Sequence, residues 1–232
     1  MAISDRKQLI LKTLTREYIK TAQPVSSGFL VEKYKLDISP ATVRNEMTEL
    51  EDAGYIYQPH TSAGRVPTAA AYEFYVQEFI DPKKTIKLSE GQARLLDKLF
   101  KKEENSFKQV AKAIAELSNA AVFWAFHKNN LYYTGISNLF TQAEFKQANL
   151  VYDVSAVIDQ MDEIIDRIFN KLSLGEQVLI GAQNPFGDFL SAVLVKYNSE
   201  NQSGIFGILG PLRMDYEKNI ALANYIKQKM AK

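Results

Sequence analysis

One continuous stretch, residues 39–67, constrains the fold of this 232-residue chain more than any other. Its first part has the punctuation of a helix, because Ser39 can cap the N-terminus, Pro40 suits the first helical position and Gly54 suits the left-handed position after the last turn. The apolar positions between them recur at helical spacing: Val43, Met47 and Leu50. The stretch therefore predicts a helix with one narrow buried stripe and a polar outer face.

The polar outer face of this predicted helix carries side chains that suit DNA. Thr42, Arg44 and Asn45 occupy its N-terminal half, and such side chains hydrogen-bond to base edges and phosphates in a major groove. The acidic residues crowd toward the other end, although acids favour helix N-termini: Glu46, Glu49, Glu51 and Asp52. A helix that only had to be stable would not be charged in this way, whereas the arrangement suits a helix that points its first turn at a polyanion.

Residues 55–67 predict a hairpin of two short strands directly after the helix. Its turn, residues 61–64, contains Thr, Ser, Ala and Gly, and Gly64 is free to take positive φ. Arg65 is placed to reach along a DNA backbone or into a minor groove. His60 precedes the turn, where a phosphate contact and a plain solvent position are equally compatible with the sequence. Helix and hairpin together predict a winged helix-turn-helix domain.

Two separated blocks of sequence resemble the HrcA family, the bacterial heat-inducible transcription repressors. The first block, between residues 39 and 76, contains S-x-A-T-V-R-N-E-M-x-x-L-E-x-x-G, T-S-x-G-R-V-P and Y-x-F-Y-V. The second block, residues 207–216, reads G-I-L-G-P-x-R-M-D-Y. A lone helix-turn-helix pattern is a weak signal, but a long ungapped match followed by a second block in the right order is specific.

The resemblance implies a repressor in the cytoplasm that binds double-stranded DNA at an inverted-repeat operator ahead of chaperone genes. It also implies a homodimer, since two-fold operators match two-fold proteins, and a GroEL-type chaperonin that helps keep the repressor active. Thr42, Arg44 and Asn45 would read bases, while other residues would set position on the backbone. The predicted DNA-binding residues are Ser39, Ala41, Thr42, Arg44, Asn45, His60, Thr61, Ser62 and Arg65.

The order of the predicted elements indicates an α+β chain in three parts. Residues 1–80 form the winged helix-turn-helix domain, residues 81–120 a helical linker or dimer seam, and residues 121–232 an α/β domain with an antiparallel sheet. The resemblance implies a GAF-like fold for the last part. There, strands are predicted at 121–126, 131–136, 177–183, 190–197 and 204–209, with helices at 153–172 and 215–230.

The chain departs from the family at one place. Family members carry a long segment, which includes an inserted dimerising domain, between the counterparts of residues 121–126 and 132–136. Here a tight turn spans that gap. The mode of dimerisation and of regulation therefore stays open.

Composition excludes several functional classes. Cysteine is absent and the two histidines, His60 and His127, are far apart, so we expect no disulfide, metal site or cofactor. The glycines at 204, 207 and 210 have neither Rossmann nor P-loop spacing and are better explained by tight strand packing. Arg213, Asp215 and Tyr216 favour a helix cap and a buried ion pair over a ligand site. No catalytic constellation, secretion signal or membrane-length apolar run is found, so the chain is not expected to be an enzyme or a membrane protein.

The charge balance keeps two other functions open. The whole chain has a net charge of +1, and residues 1–80 carry nine basic and ten acidic side chains. Because DNA affinity depends on neutralised phosphates, this domain must concentrate its positive charges or gain them by dimerising. The alternatives are a ligand-gated regulator whose GAF-like half binds a small molecule, and a protein-interaction module that has lost DNA binding.

Overall fold

The chain folds into two compact units, Met1–Pro82 and Lys83–Lys232. The computed structural model describes residues 3–80, 88–100, 106–127, 130–146, 148–198 and 203–230. The beginning of the predicted linker, residues 81–87, lies outside the described residues. The separate status of residues 81–120 as a linker stays a prediction.

The first unit contains four helices and a two-stranded hairpin. In chain order the elements are α1 (Asp5–Thr21), α2 (Ser27–Tyr34), α3 (Pro40–Asp52), β1 (Ile56–Tyr57), β2 (Val66–Pro67) and α4 (Ala69–Phe79). The two strands are antiparallel, with Tyr57 opposite Val66. An isolated bridge between Val25 and Arg65 attaches the segment before α2 to the hairpin.

Serine hydroxyls begin the first three helices. Ser4, Ser26 and Ser39 each accept a hydrogen bond from the backbone N–H three residues later. Gly54 follows α3 with φ 79°, as the sequence predicts. Thr68 precedes α4 without capping it, because its hydroxyl donates to the carbonyls of Gly54 and Tyr55 at 2.7 and 2.9 Å.

The core of the first unit collects the apolar faces of α1, α2 and α3. Its fully buried members include Ile10, Leu11, Leu14, Leu30, Val43, Met47, Leu50 and Ile56. Glu17 of α1 is buried beside this core, with a side chain that is 3% exposed. Its carboxylate accepts hydrogen bonds from Lys33 Nζ at 2.7 Å and from Tyr34 Oη at 3.0 Å, so the buried charge is paired across α1 and α2.

The second unit is an α+β fold built on one five-stranded antiparallel sheet, as predicted for the fold class. Its elements are α5 (Glu90–Phe100), α6 (Ser106–Ser118), β3 (Ala121–His127), β4 (Asn130–Thr134), α7 (Ile136–Thr141), α8 (Ala148–Asp159), α9 (Met161–Phe169), β5 (Gly175–Ile180), β6 (Leu190–Asn198), β7 (Ser203–Pro211) and α10 (Tyr216–Met230). The strand order is β4-β3-β7-β6-β5. No helix within the described ranges is long and apolar enough to cross a membrane.

Both faces of the sheet are covered by helices. Because side chains alternate along a strand, neighbouring residues of β3 serve different layers. Phe123 joins a core that includes α8 and α9. Trp124 meets Phe107 of α6 and Phe100 of α5 edge to face, with ring centroids 6.2 and 6.4 Å apart. Its indole Nε1 donates to Tyr197 Oη at 2.8 Å, and burial raises the pKa of Tyr197 to about 12.

Close packing explains two of the three glycines at 204, 207 and 210. A Cβ on Gly204 would lie 2.2 Å from Tyr197 Oη, and a Cβ on Gly207 would lie 2.2 Å from the ring of Phe123. These positions therefore need glycine because a neighbouring aromatic ring fills the space, as the sequence predicts.

The structure corrects three element boundaries in the second unit. The single helix predicted at 153–172 is two helices, α8 and α9, separated at Gln160 with φ −96° and ψ 9°. The apolar period continues across this one-residue break, so the pattern does not reveal it. The strand predicted to reach residue 136 ends at Thr134, because Gly135 with φ 75° turns the chain into α7. Likewise β5 ends at Ile180 and a 3₁₀ turn follows over residues 181–183.

Replacement of Glu17 by Gln should flatten the acid dependence of stability in the first unit. Burial alone would raise the pKa of Glu17, but the hydrogen bonds from Lys33 and Tyr34 outweigh burial and hold it below its ordinary value of 4.5. Because the pKa of Glu17 is lower in the folded chain than in the unfolded chain, its ionised carboxylate stabilises the fold. This contribution is complete at a pH above the ordinary pKa and is lost as the pH falls through the pKa of the folded state. The Gln variant should be less stable at neutral pH, and its difference from wild type should shrink in acid.

Circular dichroism during urea unfolding at several pH values measures this difference. The exposed Glu32→Gln on α2 is the control, since it removes a carboxylate without touching the buried pair. A gap between wild type and Glu17→Gln that is the same at neutral and acid pH would contradict the linkage.

Candidate nucleic-acid interface

A cleft of about 490 Å³ opens on the first unit between the start of α2, the outer face of α3 and the tip of the hairpin. Three separate segments of the chain meet there. Its lining residues are Val25, Ser26, Ser27, Arg44, Met47, Gln58, Thr61, Ser62, Ala63, Gly64 and Arg65. Serine, threonine and arginine side chains share the lining about equally with apolar surface.

Four of the predicted site residues line this cleft: Arg44, Thr61, Ser62 and Arg65. Arg44, Thr61 and Ser62 are exposed, whereas the Arg65 side chain is only 14% exposed. The other five lie outside the lining: Ser39, Ala41, Thr42, Asn45 and His60. All of these except the half-buried Thr42 are exposed on the same unit.

The first turn of α3 is organised by its cap. Ser39 Oγ accepts from the Thr42 backbone N–H at 3.1 Å and lies 2.9 Å from Thr42 Oγ1. Pro40 stands at the beginning of the helix, as predicted. The two hydroxyls therefore form one small polar group at the N-terminus of α3, beside the exposed Ala41.

The turn of the hairpin is held by side-chain hydrogen bonds. Gln58 Nε2 donates to the carbonyls of Thr61 and Ala63 at 3.0 and 2.9 Å. His60 Nδ1 lies 3.2 Å from Ser62 Oγ. Gln58 was not among the predicted site residues, although a glutamine between a strand and a turn is a signal that could have identified it.

Gly64 is required for a reason other than the one the sequence suggests. Its φ is not positive, so no left-handed turn demands it. A Cβ there would lie 2.4 Å from the backbone carbonyl carbon of Val25. The hairpin approaches the segment before α2 this closely because Val25 and Arg65 exchange two backbone hydrogen bonds, at 2.9 and 2.8 Å.

The acids at the C-terminal end of α3 form ion pairs within the first unit. The inference that a helix built only for stability would lack these acids is therefore wrong. Glu46 pairs with Arg6, Glu49 with Lys7, and Glu51 with Arg65. The hydrogen bond to Glu49 raises the pKa of Lys7. The sequence pattern of α3 alone missed these pairs, because two of the partners are on α1, about 40 positions away.

Arg65 points toward α3. Its Nε lies 2.9 Å from Glu51 Oε2. The other oxygen of the same carboxylate, Oε1, accepts from the Gln58 backbone N–H at 2.8 Å. One glutamate of α3 thus contacts the hairpin both after β1 and before β2.

The polar cluster near the start of α10 supplies the predicted helix cap, and its ion pair is partly buried and uses a partner outside the cluster. Arg213 pairs with Glu144 and donates to Gln142 Oε1 at 3.0 Å. Asp215 Oδ1 accepts from the Lys218 backbone N–H at 3.1 Å and caps the helix. Within the described parts of the chain, no group of His, Asp and Glu side chains is arranged to hold a metal ion.

The fold and the cleft describe a chain of two units, one with a helix–hairpin cleft and one with an antiparallel sheet. One unit sets a capped helix beside a hairpin around a cleft, and the other is an α+β unit on a five-stranded antiparallel sheet. Residues 76–220, more than half of the chain, match the family model described as the HrcA protein C-terminal domain. The chain therefore belongs to the HrcA family.

Two curated relatives illustrate how the similarity is distributed. The heat-inducible transcription repressor HrcA of Natranaerobius thermophilus is 47% identical over 120 residues, which cover 51% of this chain and 35% of that protein. The repressor of the same name from Carboxydothermus hydrogenoformans is 25% identical over 333 positions, which cover 97% of this chain and 96% of that protein. The longer alignment has more positions than this chain has residues, so it includes positions without a counterpart here.

A crystal structure described as that of a hypothetical protein has the same fold. It superposes with a TM-score of 0.82 over 99% of this chain and 98% of its own, at 19% sequence identity. At this identity the likeness concerns the fold alone. The relatives are named as transcription repressors, in agreement with the expectation of a regulator rather than an enzyme.

Replacement of Gly64 by Ala should destabilise the first unit by about 1–3 kcal/mol, the usual cost of overpacking against atoms that cannot move aside. The matched control is Gly28→Ala, where a Cβ meets nothing within 4 Å in α2. That change should stabilise by up to about 1 kcal/mol, since alanine is the better helix former. Urea unfolding followed by circular dichroism measures both variants.

The fluorescence of Trp124, the sole tryptophan, reports on the second unit and should be unchanged in both variants. Equal stability of the two variants would show that the hairpin tolerates a side chain against Val25.

Proposed function

We propose that this chain is a sequence-specific, DNA-binding transcription repressor of heat-shock genes. The observation that carries the proposal is the cleft where exposed Arg44 of α3 stands beside the exposed hairpin tip, Thr61 and Ser62. Family membership supports it, since the relatives are named heat-inducible transcription repressors. The first unit is then a winged helix-turn-helix domain with α3 as its recognition helix.

The distribution of charge supports DNA binding by a unit whose overall charge is close to zero. Three of the acids on α3 pair with basic side chains at its C-terminal half. The N-terminal half carries no acid before Glu46. Arg44 is exposed on this half of the helix, where an approaching polyanion meets it.

Roles for the exposed residues follow from their position on α3 and the hairpin. Arg44 and Asn45, with the half-buried Thr42, read base edges in a major groove. Thr61, Ser62 and His60 contact the DNA backbone from the hairpin. Ser39 and Ala41 lie at the N-terminus of α3, where backbone N–H groups favour a phosphate. Ser26 caps α2 at the edge of the same cleft and is a further candidate for a phosphate contact, whereas Ser27 is buried.

The proposal extends to the assembly that acts in the bacterial cytoplasm. An inverted-repeat operator presents the same half-site twice, so it is matched by a homodimer. A GroEL-type chaperonin would help keep the repressor active, and heat-damaged proteins would compete for that chaperonin. Both partners are inferred from the family.

The decisive experiment is a titration of the purified chain against an inverted-repeat duplex taken upstream of the chaperone genes of the source genome. A scrambled duplex is the control, and each titration is repeated at several salt concentrations, with and without chaperonin. The proposal expects tight binding to the repeat alone and a steep salt dependence. Equal, weak binding to both duplexes in every condition would overturn it.

Replacement of Arg44 by Ala should weaken operator binding by about 1–3 kcal/mol, the discrimination that one bidentate arginine–guanine pair provides. The matched control is Arg16→Ala, which removes an exposed arginine of α1 that does not line the cleft. Fluorescence anisotropy with the operator and the scrambled duplex measures both variants. If Arg44→Ala keeps the operator affinity and sequence preference of wild type, Arg44 does not read bases.

A cleft in the second unit favours ligand gating as a second candidate function. It measures about 280 Å³ and is lined mainly by aromatic side chains, including Phe100, Phe107, Trp124 and Phe126. Such walls suit a flat, apolar small molecule. A thermal shift measured with a metabolite panel tests this function, and the absence of any shift would count against it.

A further inference from the structure

The hairpin is attached to the rest of the first unit through three sets of polar contacts. The backbone of Arg65 exchanges two hydrogen bonds with Val25. The Thr68 hydroxyl donates to the carbonyls of Gly54 and Tyr55 at the base of the hairpin. The third set starts from α3 itself, through the side chain of Glu51.

Glu51 bridges the two strands of the hairpin. It lies in the last turn of α3 with a side chain that is 30% exposed. Its Oε1 accepts from the backbone N–H of Gln58, the residue after β1, and its Oε2 pairs with Arg65, the residue before β2. A single carboxylate thus fixes both strands relative to the helix.

The contacts continue from Glu51 to the hairpin tip. The side-chain amide of Gln58, whose backbone N–H is bound to Glu51, donates to the carbonyls of Thr61 and Ala63 within the turn. The turn is therefore tied to the same residue that α3 holds. The exposed Thr61 and Ser62 reach their place beside Arg44 through this series of hydrogen bonds.

Arg65 is poorly placed to touch DNA directly. Its side chain is 14% exposed, and its charge is offset by a carboxylate 2.9 Å away. Because its Nε faces Glu51, a phosphate contact would have to come from the Nη groups of a side chain that is only 14% exposed.

We propose that Glu51 is a positioning residue for DNA recognition, which holds the hairpin tip beside the N-terminal half of α3. Arg65 acts through Glu51 and sets the hairpin without contacting DNA. The inference rests on the proposed function, because it assigns a role within the same DNA-binding unit.

The test compares Glu51→Ala with Glu49→Ala. Both changes remove one acid from the same helix, so any gain in non-specific affinity is shared. Glu49 is 59% exposed and pairs with Lys7 of α1, away from the hairpin. Glu51→Ala should reduce the ratio of operator affinity to scrambled-duplex affinity about tenfold, the scale of one charge-assisted hydrogen bond. Glu49→Ala should leave that ratio within about twofold, as for an exposed ion pair.

A hydroxyl-radical footprint separates positioning from general destabilisation. Glu51→Ala should lose protection of the sugars under the hairpin and keep protection under α3. A unit that is merely less stable loses both together. A Glu51→Ala protein whose affinity ratio and footprint equal those of Glu49→Ala overturns the inference.

Arg65→Gln and the double variant with Glu51→Ala test how Arg65 acts. If Arg65 works through Glu51, the double variant discriminates between duplexes no worse than the single ones, and the salt slope of Arg65→Gln equals that of wild type. If the effects add and the slope falls by about one, Arg65 contacts a phosphate and this part of the inference is wrong.

Hydrogen exchange without DNA keeps the inference testable even if the proposed function fails. The Gln58 amide should exchange faster in Glu51→Ala than in Glu49→Ala, and equal exchange would overturn the positioning role. If wild type does not distinguish the two duplexes, the proposed function fails whatever the exchange shows.

Should Glu51→Ala not fold, Glu51→Gln retains an acceptor for Gln58 but loses the charge opposite Arg65. The ratio of operator affinity to scrambled-duplex affinity should then be lower in Glu51→Gln than in wild type or Glu49→Ala. The loss should be smaller than tenfold.

Discussion

The buried stripe of α3 fixes the orientation of the residues that this helix contributes to the candidate interface. Val43, Met47 and Leu50 are each at most 3% exposed, and burial of one such side chain contributes about 1.5–3 kcal/mol. Rotation of the helix about its axis would expose the stripe, at a cost that an exposed polar contact does not offset. Arg44 and Asn45 therefore face outward because of where the apolar residues lie, and the outer face of α3 is free to be polar.

Ion pairs let the same helix join the rest of its unit at one end and remain open at the other. Glu46 and Glu49 connect α3 to α1, and Glu51 connects it to the hairpin. These contacts pair three acids of α3 with basic side chains. A charge count over residues 1–80 averages these paired acids with the exposed Arg44 and so hides the separation of charge along the helix. Position on the folded surface, rather than the total, decides what a polyanion meets.

In the second unit apolar packing dominates, because helices cover both faces of its sheet. Phe123 and Trp124 are consecutive in β3, yet each belongs to a different layer of packing. Gly204 and Gly207 of β7 leave room for the rings of Tyr197 and Phe123. The buried hydrogen bond from Trp124 to Tyr197 satisfies two polar atoms inside an otherwise apolar region. Two of the three glycines in β7 thus serve the tight strand packing that the sequence predicts.

The sequence by itself determined the features that depend on neighbouring residues. The cap at Ser39, the stop at Gly54, the stripe of α3 and the antiparallel strands of the second unit all follow from local propensity and period. Only the tertiary structure decided the break at Gln160, the demand for glycine at residue 64 and the pairing of Glu51 with Arg65. The break leaves the apolar period intact, and the other two depend on a partner brought close by the fold. Such contacts are set by the packing of whole elements, and a pattern read along one segment does not contain them.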